Sequence, residues 1–116
     1  MRSERGVATV HALTVAAIGV LAAALSLQVT AVIGVRQRAA AAADLAALAA
    51  ARAAVEGGEP CTVAARISRL NGAALTRCRT DAAVATVTVR VESGRWVVGR
   101  WASQRRARAA PAWYLD

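Results

Sequence analysis

The chain has no lysine and no phenylalanine, one histidine, two cysteines and two prolines among its 116 residues. Each shortage excludes a class of chemistry. His11 stands alone inside an apolar run, so no metal cluster can form around it. Cys61 and Cys78, with no histidine near them, do not make a zinc site. The seven acids are scattered, and no pair has a reason to meet. A hydroxyl nucleophile would find no base to activate it. No Gly-rich phosphate loop occurs, because Gly57-Gly58 reads as a helix end. These absences lead to an expectation of no enzyme activity, no cofactor and no metal. Aromatics are also few, three Trp and one Tyr, and they do not interleave with the basic residues as a stacking platform requires. No nucleic-acid partner is expected.

The sequence is rich in two things. Alanine fills 32 positions, and all 15 basic residues are arginine, giving a net charge of +8. Such a charge suits a solvated basic surface beside anionic headgroups. The second abundance is an unbroken apolar run. Residues 6–35 carry no formal charge, with Arg2 and Arg5 before them and Arg36 and Arg38 after. As one helix this run is about 45 Å long, more than a bilayer core requires. It exceeds the apolar core of a signal peptide, and the remaining residues are too few to cover it on all sides. Residues 7–35 are therefore predicted to be a transmembrane helix behind a short charged leader, residues 1–6.

Small residues recur along the run at Ala8, Ala12, Ala16, Gly19, Ala23, Ser26, Thr30 and Gly34. Their helical spacing traces one face, which would let neighbouring helices approach closely in lipid. In a chain this rich in alanine, chance composition is the competing explanation. Residues 36–56 should continue the helix, since alanine is the best helix former and neither Gly nor Pro interrupts 36–55. Leu45, Leu48 and Val55 mark a thin apolar seam. Asp44 has no arginine at i±3 or i±4. It is either solvated or paired with a neighbouring subunit.

Residues 57–110 read as a small α+β head. Glu59-Pro60 restarts a helix, in which Val63, Ile67 and Leu70 form the apolar face, and Asn71-Gly72 stops it. Residues 73–79 read as a strand and 80–83 as a turn. Residues 84–92 are the clearest strand, with Val87, Val89 and Val91 alternating against Thr86, Thr88 and Arg90. A third strand over 102–110 is weakly supported because of Arg105, Arg106 and Arg108, so two to three antiparallel strands are expected. Residues 111–116 read as a flexible tail. The tryptophans either pack on the small core or sit at a membrane interface between Arg95 and Arg100.

A head of this size is marginal without a staple. Cys61 and Cys78 either form a disulfide, contributing about 3 kcal/mol on a chain-entropy model, or remain buried thiols. The disulfide would place the head outside the cytoplasm. The arginine count, two before the span and three within 20 residues after it, leans slightly the other way.

The order of these parts resembles the TadE-like proteins of actinobacterial Flp (Tad) pilus and secretion loci. The carrying pieces are Glu4-Arg5-Gly6, the long apolar helix, the AAADLAALAAA stretch over 41–51, Pro60-Cys61, Asn71-Gly72, Cys78 and the Val-rich strand. The resemblance implies a pilin-like architecture: a long N-terminal helix in the cell membrane, and a small head outside. It implies a structural role as a minor pilin or pseudopilin. Its partners would be membrane lipid, other pilin-like subunits and membrane assembly proteins. From the small-residue face and the seam above it, the N-terminal helix is expected to form oligomers through Ala16, Gly19, Ala23, Asp44, Leu45 and Leu48. The resemblance also implies leader cleavage between Gly6 and Val7. Pilins usually carry Glu five residues beyond that cut, and this sequence has His11. Two other readings compete with this one: a small secreted protein released from its anchor, and a membrane-tethered basic binding protein.

Overall fold

The computed structural model describes residues 2–95 and 97–115 of the chain, with side chains from residue 4 to residue 114. Trp96, expected in an apolar patch, lies outside the described residues, as do Met1 and Asp116. One helix, α1 (Arg2–Val55), runs through the leader, the apolar run and the alanine segment. Its 54 residues make the molecule 84 Å long and only 29 by 16 Å across. No proline occurs before Pro60, so nothing forces a kink.

The end of α1 is built by glycine. Gly57 takes φ +76°, and the Gly58 N–H donates to the Ala53 carbonyl at 2.8 Å. That six-to-one bond is a Schellman closure, which a side chain at Gly57 would strain. Pro60, with its preset φ, then opens α2 (Pro60–Leu70). The second helix ends in the same manner. Gly72 adopts φ +71°, and the Ala73 N–H donates to the Ser68 carbonyl at 2.9 Å.

The apolar face expected for α2 is rotated. Ala64 and Ser68 are fully buried and Ile67 is half-buried, whereas Leu70 is 75% exposed. The cause is the surface that α2 meets, the alanine face of α1, against which only small residues permit close approach. Ser68 is tolerated there because its hydroxyl donates to the Ala64 carbonyl at 2.8 Å.

Three antiparallel strands follow, β1 (Ala74–Asp81), β2 (Val84–Glu92) and β3 (Ala102–Ala109), with β2 in the middle. Val87, Val89 and Val91 face α1 and are buried. Opposite them α1 offers Ala39, Ala42, Ala43, Ala46, Ala47 and Ala50, all at most 1% exposed. The poorly β-forming β3 is held by its pairing with β2 and by Ala107, which is buried beside Val87. Ala112–Leu115, part of the expected flexible tail, forms a 3-10 turn.

The β2–β3 connection, residues 93–101, folds back down α1. Its Val98 N–H donates to Gln28 Oε1 at 2.9 Å, across 70 residues of sequence. Within it Val97 is buried, the Ser93 N–H donates to the Trp101 carbonyl at 2.7 Å, and the Trp101 N–H donates to Ser93 Oγ at 3.1 Å.

The β1–β2 hairpin turns on two residues, and Ala82 there has φ +52°. An L side chain in that region costs about 1–2 kcal/mol, while glycine's freedom in the unfolded chain returns part of the difference. Ala82→Gly should therefore raise stability by about 0.5–1 kcal/mol, read from denaturant unfolding in detergent. A loss of stability would refute the assignment of the turn.

Candidate functional site

Every residue of α1 from 4 to 27 is exposed. Large apolar side chains point in all directions there, among them Val10 at 61%, Ile18 at 62% and Leu27 at 71% exposure. A helix that is apolar all round needs an apolar surrounding. This helix is long and apolar enough to cross a membrane.

The polar side chains of the run are each accounted for. The hydroxyls of Thr9, Thr14, Ser26 and Thr30 donate to the carbonyls of Arg5, Val10, Ala22 and Ser26, at 2.8–3.0 Å. His11 Nδ1 lies 3.1 Å from the Val7 carbonyl, so a neutral ring carrying its proton on Nδ1 donates there. Bonds back to the preceding turn leave little polar surface to be desolvated.

The residues expected to pack against other helices are all exposed. Ala16, Gly19 and Ala23 are exposed, and no atom lies within 4 Å of where a Cβ on Gly19 would stand. Leu45 and Leu48 are 47% and 58% exposed, on the side of α1 away from the alanine face. Asp44 is exposed beside them, and no described arginine reaches it within 4.0 Å. Asp44 and Leu48 share a groove of about 620 Å³ with Arg108 and Tyr114. The expected assembly residues therefore form two free surfaces, a small-residue stripe below and an Asp–Leu–Leu seam above. Gly6 and Val7 lie within the first turns of α1, exposed. Farther along, the Glu56 carboxylate accepts a hydrogen bond from Arg52 at 2.8 Å, and its bond and charge raise the arginine's pKa.

Cys61 and Cys78 are joined in a disulfide, with their Cα atoms 5.8 Å apart. The bond ties α2 to β1, and its geometry depends on a bulge. β1 pairs Leu75 with Val89 and then Arg77 with Thr88, so Thr76 is an inserted residue. Its hydroxyl donates to the Thr88 carbonyl at 3.1 Å. Strand side chains alternate, so a one-residue insertion reverses which face each later residue occupies. With the bulge, both Leu75 and Cys78 face the core. Without it, Cys78 would point away from Cys61.

The bulge also builds a surface that the linear pattern did not reveal. Two rows cross the outer face of the sheet, Arg77–Thr88–Arg106 and Arg79–Thr86–Arg108. All four arginines are exposed, and none has an ion pair among the described residues. Arg90 on the same face is 3.6 Å from Glu92. Guanidinium groups spaced this way can hold carboxylates or phosphates by paired hydrogen bonds. The period-two spacing of Arg77 and Arg79, and of Arg106 and Arg108, was a usable signal.

Among the described residues, no group of three or more His, Cys, Asp or Glu is placed to hold a metal. No protein-family model, curated protein or solved structure matches the chain.

Deletion of Thr76 should leave β1 a regular strand, with Leu75, Arg77 and Cys78 keeping Val89, Thr88 and Val87 as partners and Cys78 still facing Cys61. Thiol titration under non-reducing conditions should find no free thiol in either the parent or the deletion variant. Two free thiols in that variant would contradict the role given to the bulge, which is to absorb one extra residue and keep Cys78 in phase with Leu75.

Proposed function

We propose that the chain is a membrane-anchored structural subunit of the pilin-like kind, a minor component of a Tad/Flp-type pilus assembly or secretion apparatus, without catalysis. The observation that carries this reading is the division of one unbroken helix. Residues 4–27 are bare and apolar, while the alanine face above them is clasped by a disulfide-stapled head. A helix built this way presents side chains to lipid and to like helices, and holds its head rigidly outside. The resemblance to TadE-like proteins agrees with it, as do the two free surfaces around Gly19 and Asp44. The disulfide favours a head facing the extracytoplasmic side of the cell membrane.

A second reading is favoured by the four arginines on the outer face of the sheet that have no ion pair among the described residues: a tethered basic module that binds an anionic partner. The two readings separate on compartment and on assembly, because a cytoplasmic basic module would keep its cysteines reduced.

Two outcomes are expected. After reduction of intact cells, a thiol reagent that cannot cross the membrane should label Cys61 and Cys78. Labelling that appears only after the membrane is broken would reverse the orientation. In membranes, Gly19→Leu and Ala23→Leu should each lower the yield of crosslinked oligomer severalfold, because bulk there prevents close backbone approach. Asp44→Ala should lower it too, and Leu21→Ile should leave it unchanged. Parental yields from the Gly19, Ala23 and Asp44 variants would reduce the stripe to composition and remove its support for a structural role.

A further inference from the structure

The bond between the Val98 N–H and Gln28 fixes how far down α1 the head reaches. Gln28 is also the first residue of α1, read from residue 4, that is not exposed. Below it, residues 7–27 form an uncharged stretch of 21 residues. At about 1.5 Å per residue this is about 31 Å, the thickness of a bilayer's hydrocarbon core.

We propose that the β2–β3 loop is an interfacial anchor, lying in the headgroup layer of the membrane that holds α1, with the edge of the hydrocarbon at Gln28. This rests on reading residues 7–27 as membrane-embedded.

Two constraints bound the level from opposite sides. Were the hydrocarbon edge at Val35, about 10 Å higher, the loop backbone would lie inside lipid. Irregular backbone is not tolerated there, because no water remains to satisfy its polar groups. Arg95 and Arg100, both exposed on the loop, would be buried with it. Were the edge a full turn or more lower, Leu25 and Leu27, at 59% and 71% exposure, would stand bare in water. Above Gln28, Val29 and Ile33 are still 59% and 48% exposed, so the aliphatic girdle extends into the level the loop occupies.

The composition of the loop fits that level. Val98 is 78% exposed at the foot of the head, and Trp101 is 51% exposed. The Trp101 indole N–H donates to the Val98 carbonyl at 2.8 Å, so its polar atom has a partner and the ring is left for the interface. Tryptophan favours the headgroup zone, and arginines beside it suit anionic lipid. Val97 is buried, and the Val98 N–H bond to Gln28 holds the loop on α1, so the exposed residues are displayed on a fixed support.

The test uses the full chain, disulfide intact, reconstituted in phosphatidylcholine–phosphatidylglycerol vesicles. A single environment-sensitive fluorophore is attached at Val98→Cys, with Ile18→Cys and Leu70→Cys as references. Nitroxide lipids labelled at the headgroup or deep in the acyl chain act as quenchers. Residue 98 should be quenched most by the headgroup nitroxide, severalfold above residue 70, and residue 18 most by the deep one. Residue 98 behaving like residue 70 while residue 18 is quenched from the acyl chain would overturn the anchor and leave the span standing. Residue 18 quenched by neither lipid would overturn the membrane reading and the anchor together.

Discussion

The head depends on how closely its other elements can approach α1. From Ala39 to Ala53 the inward face of that helix carries no side chain larger than a methyl group. The sheet and α2 therefore both pack near its backbone, and the close fit dictates what they bring. α2 must present Ala64 and Ser68, and β3 presents Ala107. The bulk of the core comes from one strand, through Val87, Val89 and Val91. Each such burial is worth about 1.5–3 kcal/mol against the entropy of ordering the head. A core so thin explains why α2, whose fully buried residues are only Ala64 and Ser68, is covalently tied to β1.

The same helix meets two different surroundings, and its composition changes where the surroundings do. Through residue 27 its aliphatic side chains point all round, and the neighbouring hydroxyls bond to their own backbone. From Val35 upward one face is alanine, and the opposite face carries Asp44, Leu45 and Leu48. Nothing interrupts the backbone hydrogen bonding between the two regions. The position of the head is consequently set by the helix, without a hinge, and a tilt of α1 carries the head with it.

Much of this was legible in the sequence, and the failures share a cause. The helix stop at Gly57, the second stop at Gly72 and the strand over 84–92 follow local rules of period and turn chemistry. The face of α2 did not, because an amphipathic template turns the largest apolar residues inward, whereas an alanine partner demands the smallest. β3 was faint because its three arginines speak for solvent. All three are exposed, and the pairing with β2 supplies what propensity lacks. The contact between Val98 and Gln28 spans 70 residues and leaves no trace in any local window.

The bulge at Thr76 shows how one residue can set two properties together. On its core side it brings Cys78 into phase with Leu75, which allows the bond to Cys61. On its outer side it puts Arg77 opposite Thr88 and Arg79 opposite Thr86, completing the arginine rows with β3. A regular β1 that still held Thr76 would reverse both, pointing Cys78 outward and Arg77 and Arg79 onto the face of α2 that packs against β1. That face has no carboxylate to receive them, and burying two unpaired guanidinium groups costs far more than the bulge. The register is therefore imposed by the arginines as much as by the cysteine. The same charges that keep β1 from pairing regularly leave the outer face of the sheet open to an anionic surface.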